Sequence, residues 1–146
     1  MKYAYKFEHK HLVEIDKSGE KIYSTNLLGF FSSEEKCKEL IPEYLKQPGF
    51  IDYPDGFIIE KIEADVDEYN EIAREFESSV FYLSHEWYDG EFDHISHLGY
   101  YSTNEIAKKA QIRYHLDPKY IKHLDGFCID DYKIDEKWWT EGFFTY

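Results

Sequence analysis

Cysteine is scarce in this sequence: Cys37 and Cys128 are the only two among 146 residues. Neither belongs to a Cys-x-x-Cys pair, and both fall in apolar contexts. The expectation is two buried free thiols, with no disulfide framework, in a reducing compartment. Long apolar runs are missing as well. Nothing approaches the length of a membrane span. Met1-Lys2-Tyr3-Ala4-Tyr5-Lys6 leads into polar residues rather than an apolar signal core, so the reading is cytoplasmic. Neither common glycine-rich phosphate loop is present, nor a Gly-x-Ser-x-Gly elbow. Basic residues are few, 17 against 30 acidic ones, for a formal net charge of −13. That charge repels phosphate backbones and anionic lipid, which argues against nucleic acid and membranes as partners. A basic protein would be attracted, and its association accelerated.

What the chain has in quantity is rings. Aromatics make up 19% of it, with 14 tyrosines, and hydrophobic residues 42%. The hydrophobic fraction supports a real core. Tyrosine buries area yet keeps a polar tip, so the rings serve equally a small core and an adhesive surface.

Shifted by 70 positions, the chain matches itself without a gap. Leu28-Gly29-Phe30-Phe31-Ser32-Ser33 lies over Leu98-Gly99-Tyr100-Tyr101-Ser102-Thr103. Tyr44 lies over Tyr114, Pro48 over Pro118, Asp55-Gly56-Phe57 over Asp125-Gly126-Phe127 and Asp65 over Asp135. Each copy reads as strand, turn, strand, helix, strand. His11–Asp16 and Val80–Ser84 are read as the first strands, with Lys17–Glu20 and Asp89-Gly90 as turns. Ser32 with Glu35, and Ser102 with Glu105, spell capping boxes. Cys37, Leu40, Ile41, Tyr44 and Leu45 recur at helical spacing and form one buried face. Pro42 should kink or split that helix. Gly56 and Gly126 are expected at positive φ.

The fold class is therefore α+β: two tandem β-β-α-β repeats related by pseudo-two-fold symmetry, an antiparallel sheet with helices packed on it. The expected organisation is repeat 1 over 1–65, a linking helix over 66–77 and repeat 2 over 78–146, forming one compact domain. The helix is read from Val66, Tyr69, Ile72, Ala73 and Phe76. The stretch Glu136–Gly142 has the makings of one helical turn stopped by Gly142.

Ser32-Ser33-Glu34-Glu35-Lys36, the loop Pro48-Gly49-Phe50-Ile51-Asp52-Tyr53-Pro54-Asp55-Gly56-Phe57 and the tail Trp139-Thr140-Glu141-Gly142-Phe143 resemble a family of small acidic bacterial domains without assigned function. The loop is best kept in the first copy, since Lys119–Leu124 departs from it in the second. The resemblance implies a bacterial origin and brings no chemistry. Many small acidic bacterial proteins are immunity proteins that neutralise a toxin, and that analogy is what it adds.

The seven histidines, among them His9, His11, His94 and His97, lack a local set of further ligands and read as surface or hydrogen-bonded groups rather than a metal site. Asp55 and Asp125 read as turn residues. The function-bearing candidates are aromatic and acidic: Trp87, Tyr88, Asp89, Glu91 and Asp93 at the second hairpin tip, Asp52 and Tyr53 in the first loop, Asp130 and Asp131 in the last strand, and Trp138, Trp139 and Glu141 in the tail. Tryptophan and tyrosine anchors rimmed by carboxylates suit a basic partner. The expected function is a non-enzymatic, cofactor-free binding protein, most concretely an immunity protein against a basic toxin. One alternative is a small-molecule or peptide module with a groove between the repeats. Another is a carboxylate-based or metal-dependent enzyme.

Overall fold

The computed structural model describes residues 1–144. The strands and helices run β1 (Tyr3–Ile15), β2 (Lys21–Phe31), α1 (Glu34–Tyr44), β3 (Phe57–Glu63), β4 (Ser79–Tyr88), β5 (Asp93–Tyr101), α2 (Asn104–His115) and β6 (Phe127–Lys133). The order β-β-α-β occurs twice, and the class is α+β. Two three-stranded antiparallel sheets form, ordered β2-β1-β3 and β5-β4-β6. The strands alternate as half-buried strands do. Tyr5, Phe7, His9 and His11 of β1 share one face, and so do Phe81, Leu83, His85 and Trp87 of β4.

The chain divides into two compact units, and the division departs from the expected boundaries. One unit is Ala4–Lys61 together with the segment from Ile134 onward; the other is Ile62–Lys133 together with Met1–Tyr3. The core of the first contains Phe7, Leu28, Phe31, Cys37, Tyr44, Phe50 and the tail residue Phe143. That of the second contains Leu83, Tyr101, Ala107, Ala110, Tyr114 and Tyr120.

No helix forms over 66–77. Polar side chains there bond backbone locally and displace the helical pattern. Asp67 accepts from Tyr69 N–H at 2.8 Å, and the Asn70 amide donates to the Asp65 and Ile72 carbonyls. The segment is pinned within its unit by Asp67, whose carboxylate takes the Tyr101 hydroxyl and lies 3.2 Å from Arg113. The tail does not form its helical turn either. Trp139 sits at φ 58° and Gly142 at 86°, and a reverse turn joins them through Gly142 N–H to the Trp139 carbonyl.

Both helices begin one residue later than the capping boxes imply. Ser33 and Thr103 are the N-caps, accepting from the N–H of Lys36 and Ile106. The preceding serines are taken by an aspartate at positive φ. Ser102 donates its N–H and hydroxyl to Asp65, each at 2.8 Å, and Ser32 donates likewise to Asp135. Helix α1 continues through Pro42 without splitting.

Asp135 carries a pH-dependent share of stability. Burial pushes its carboxyl up, but the Lys36 ammonium at 2.8 Å and the Ser32 donors outweigh that and hold it below the ordinary value. A group depressed in the folded state contributes stability that is present above its unfolded pKa and lost as pH falls through the folded one. Urea midpoints should therefore fall more for the wild type than for Asp135→Asn on going from pH 7 to below the usual carboxylate value of ~4. Parallel curves for the two proteins would refute this.

The Asp-Gly pairs are kept for space, not for positive φ. Neither Gly56 nor Gly126 has a positive φ. A Cβ on Gly56 would strike the Lys10 carbonyl and come within 2.6 Å of His9 Nε2. A Cβ on Gly126 would strike the Glu86 carbonyl and come within 2.8 Å of His85 Nε2.

Candidate functional site

His9 and His85 are counterparts that the ungapped comparison hides. They are offset by 76 positions, because Phe7 pairs with Gly29 and Leu83 with Gly99, and the second hairpin is shorter. Both imidazoles are buried. Each donates Nε2–H to a loop carbonyl, His9 to Tyr53 at 2.8 Å and His85 to His123 at 2.7 Å. In each case Nδ1 has no hydrogen-bond partner among the described residues. Burial lowers the pKa of His9, against the pull of the Tyr53 carbonyl, and lowers that of His11. These are structural histidines holding the Asp-Gly loop to the sheet. Aligning Phe7-Glu8-His9-Lys10 on Leu83-Ser84-His85-Glu86 with a gap would have found them.

One residue pair further along each hairpin the repeats part company. His11 pairs with Ser24 in the first, and Trp87 with His94 in the second. In the second unit the Trp87 indole lies flat between two imidazoles, 4.3 Å and 13° from His94 and 4.0 Å and 10° from His123. In the first unit an imidazole and a hydroxymethyl stand at the same register, and a groove of about 490 Å³ opens beside them. His11, Ser24, Asn26, Tyr53, Trp139 and Phe144 are among the residues that line it. His11 itself lies between Tyr53 at 4.9 Å and Phe143 at 4.5 Å.

The tail supplies one wall because it is tied to the first sheet. Trp138 N–H donates to the Leu28 carbonyl, Tyr44 donates its hydroxyl to the Trp138 carbonyl, and Phe143 N–H donates to the Pro48 carbonyl. These bonds leave Phe143 buried and Trp138, Trp139 and Phe144 exposed. Of the predicted partner residues, Tyr53 and Trp139 thus line one groove. Asp52 lies with Asp55 in an adjoining hollow that shares His11, Leu12 and Tyr53. In that hollow Lys10 places its ammonium 4.5 Å from the Tyr23 ring centre. Glu141 is exposed in the tail turn.

The other candidates stay apart from this place. Tyr88, Asp89, Glu91 and Asp93 are exposed at the second hairpin tip. Trp87 is half-buried and held in its stack. Asp89 is the turn's organiser: it accepts from the N–H groups of Glu91 and Phe92 and from His94 at 2.8 Å, and its carboxyl falls to about 2. Asp130 and Asp131 pair with Tyr82 and Phe81, five residues or more along β4 from Trp87. At a rise of about 3.4 Å per residue that is roughly 17 Å from the stack.

The thiols differ from each other. Cys37 is buried as expected, and burial pushes it up to about 12. Cys128 is exposed, because Phe127 and Ile129 take the inward positions of β6; burial and the nearby Asp130 raise its pKa. A thiol reagent such as dithionitrobenzoate is expected to modify one cysteine per native chain and two after denaturation. Loss of the native signal in Cys128→Ser would assign it, and two fast thiols in the native protein would contradict the burial of Cys37. Among the described residues no three potential metal ligands gather, and no helix is long and apolar enough to cross a membrane. Compared with family models, curated proteins and solved structures, the chain gives no match.

Proposed function

We propose that this chain is a non-enzymatic binding protein for a basic protein partner, of the immunity-protein kind that occludes a toxin in a bacterial cytoplasm. The observation that carries the reading is the meeting of Tyr53 and Trp139, which are far apart in sequence, on one groove with Asp52 and Asp55 in the hollow next to it. Exposed rings give a partner contact area at low entropic cost. The net charge of −13 steers a cationic partner toward it. The chemistry expected of a hydrolase is poorly served by these groups, since the one buried thiol is held protonated and the buried His9 and His85 act as loop ties.

The test is co-expression with the product of the adjacent gene, followed by stopped-flow association. The expected result is a complex of fixed stoichiometry whose on-rate falls steeply as salt rises, with Trp139→Asn weakening it at least tenfold. An adjacent product that fails to bind, or that binds without salt dependence, would overturn the reading.

A further inference from the structure

The groove of the first unit lies where the second unit carries larger rings: the indole of Trp87 is replaced by the imidazole of His11, and the imidazole of His94 by the hydroxymethyl of Ser24. At equivalent register the second unit carries Trp87 and His94, stacked flat at 4.3 Å, and the first carries His11 and Ser24. The space is therefore suited to a flat group. Its lining is largely aromatic and includes two buried polar side chains, His11 and Asn26. His11 and Asn26 are only 9% and 7% exposed. His11 Nδ1 and the Asn26 amide nitrogen have no hydrogen-bond partner among the described residues. Buried polar atoms without partners are costly, and they mark places where a ligand or water completes a network.

Three properties define the occupant. It must be planar, to lie along Tyr53 and Trp139. It must donate hydrogen bonds, since a neutral imidazole presents a lone pair and the Asn26 amide presents an oxygen when flipped. Burial keeps His11 neutral, so it does not repel a cation. It must also suit a chain of net charge −13 with Asp52 and Asp55 beside the groove. A guanidinium meets all three: it is flat, it carries five donors, and it stacks on aromatic faces. We propose that this groove receives an arginine side chain of the basic partner, a step that rests on the binding function proposed above.

The experiment is an NMR titration of the full chain with N-acetyl-L-argininamide, and in parallel with N-acetyl-L-lysinamide. The expected result is a saturable shift of the Trp139 indole N–H and the His11 ring, at least threefold tighter for the arginine probe. Ser24→His, which restores the ring that the second repeat has at this register, should weaken binding at least tenfold. If that variant does not fold, Trp139→Asn serves instead, since asparagine tolerates the positive φ of that position. No shift at Trp139, equal binding of the lysine probe, or unchanged binding to the filled groove would each overturn the proposal. The two readings fail separately. A basic protein partner whose affinity is untouched by Ser24→His refutes the groove and spares the binding function. Saturable arginine binding with no basic partner does the reverse.

Discussion

Phe143→Ala is expected to cost the first unit about 3–5 kcal/mol, the range for truncating a buried phenylalanine. The ring is 8% exposed and stands edge-on to Phe50 at 4.9 Å, with His11 stacked on it at 4.5 Å. The site cannot collapse easily, because the backbone around it is already close-packed. Gly49, at φ 83°, has no room for a Cβ against the Phe143 carbonyl and ring. Gly142 is pressed against Pro48 in the same way. Small units have total stabilities toward the low end of 5–15 kcal/mol, so a loss of this size removes most of it. The neighbouring Phe144 is the control. It is 82% exposed, and its replacement by alanine should change stability by no more than about 0.5 kcal/mol. Urea unfolding followed by the fluorescence of Trp138 and Trp139, in a Trp87→Phe background, reads the first unit selectively. Equal effects at 143 and 144 would show that the tail is not part of the core.

Periodicity made much of the fold legible. Alternation along β1, β3, β4 and β6 and the three-and-four spacing of Cys37, Leu40, Ile41 and Tyr44 follow from which side of an element is buried, and both are local properties. The repeat made it legible twice. The misreadings came where side chains compete with the backbone. Val66, Tyr69, Ile72, Ala73 and Phe76 keep helical spacing, yet the side chains of Asp67 and Asn70 offer nearby N–H and C=O groups other partners, and the helix does not form. The serines at 32 and 102 look like N-caps for the same reason. Their true partners, Asp135 and Asp65, lie far off in sequence, and only the aspartate shared by both copies hinted at a role.

The candidate site was legible in its parts and not in its assembly. Tyr53, Asp52 and Trp139 are recognisable as ring and carboxylate anchors, but nothing local says that the tail returns to the first sheet. That placement is set by backbone bonds from Trp138 to Leu28 and from Phe143 to Pro48. The rest of the groove's lining was missed for another reason. His11, Ser24 and Asn26 are unremarkable residues, and what singles them out is a comparison with Trp87 and His94 in the correct register. A shift of 70 does not supply that register in the first strand.

Asp65→Ala is expected to destabilise the second unit by about 2–4 kcal/mol. Asp65 is 2% exposed, and its two oxygens accept the Ser102 N–H and hydroxyl at 2.8 Å each. Truncation leaves both donors buried without a partner, at about 1–3 kcal/mol. It also puts alanine at φ 68°, where aspartate and asparagine are better tolerated, for about 1 kcal/mol more. Asp65→Asn should recover part of the loss, since it keeps one acceptor and the backbone preference. Asp135→Ala changes the corresponding residue of the first unit but should cost less, about 1 kcal/mol, because its carboxylate is partly in water and water can replace it. Trp87 fluorescence in a Trp138→Phe, Trp139→Phe background reports the second unit. The decisive outcome is the order. If Asp135→Ala equals or exceeds Asp65→Ala, burial of the bonded carboxylate is not what sets the strength of this aspartate–serine tie, and backbone strain at positive φ, common to both sites, must carry it instead.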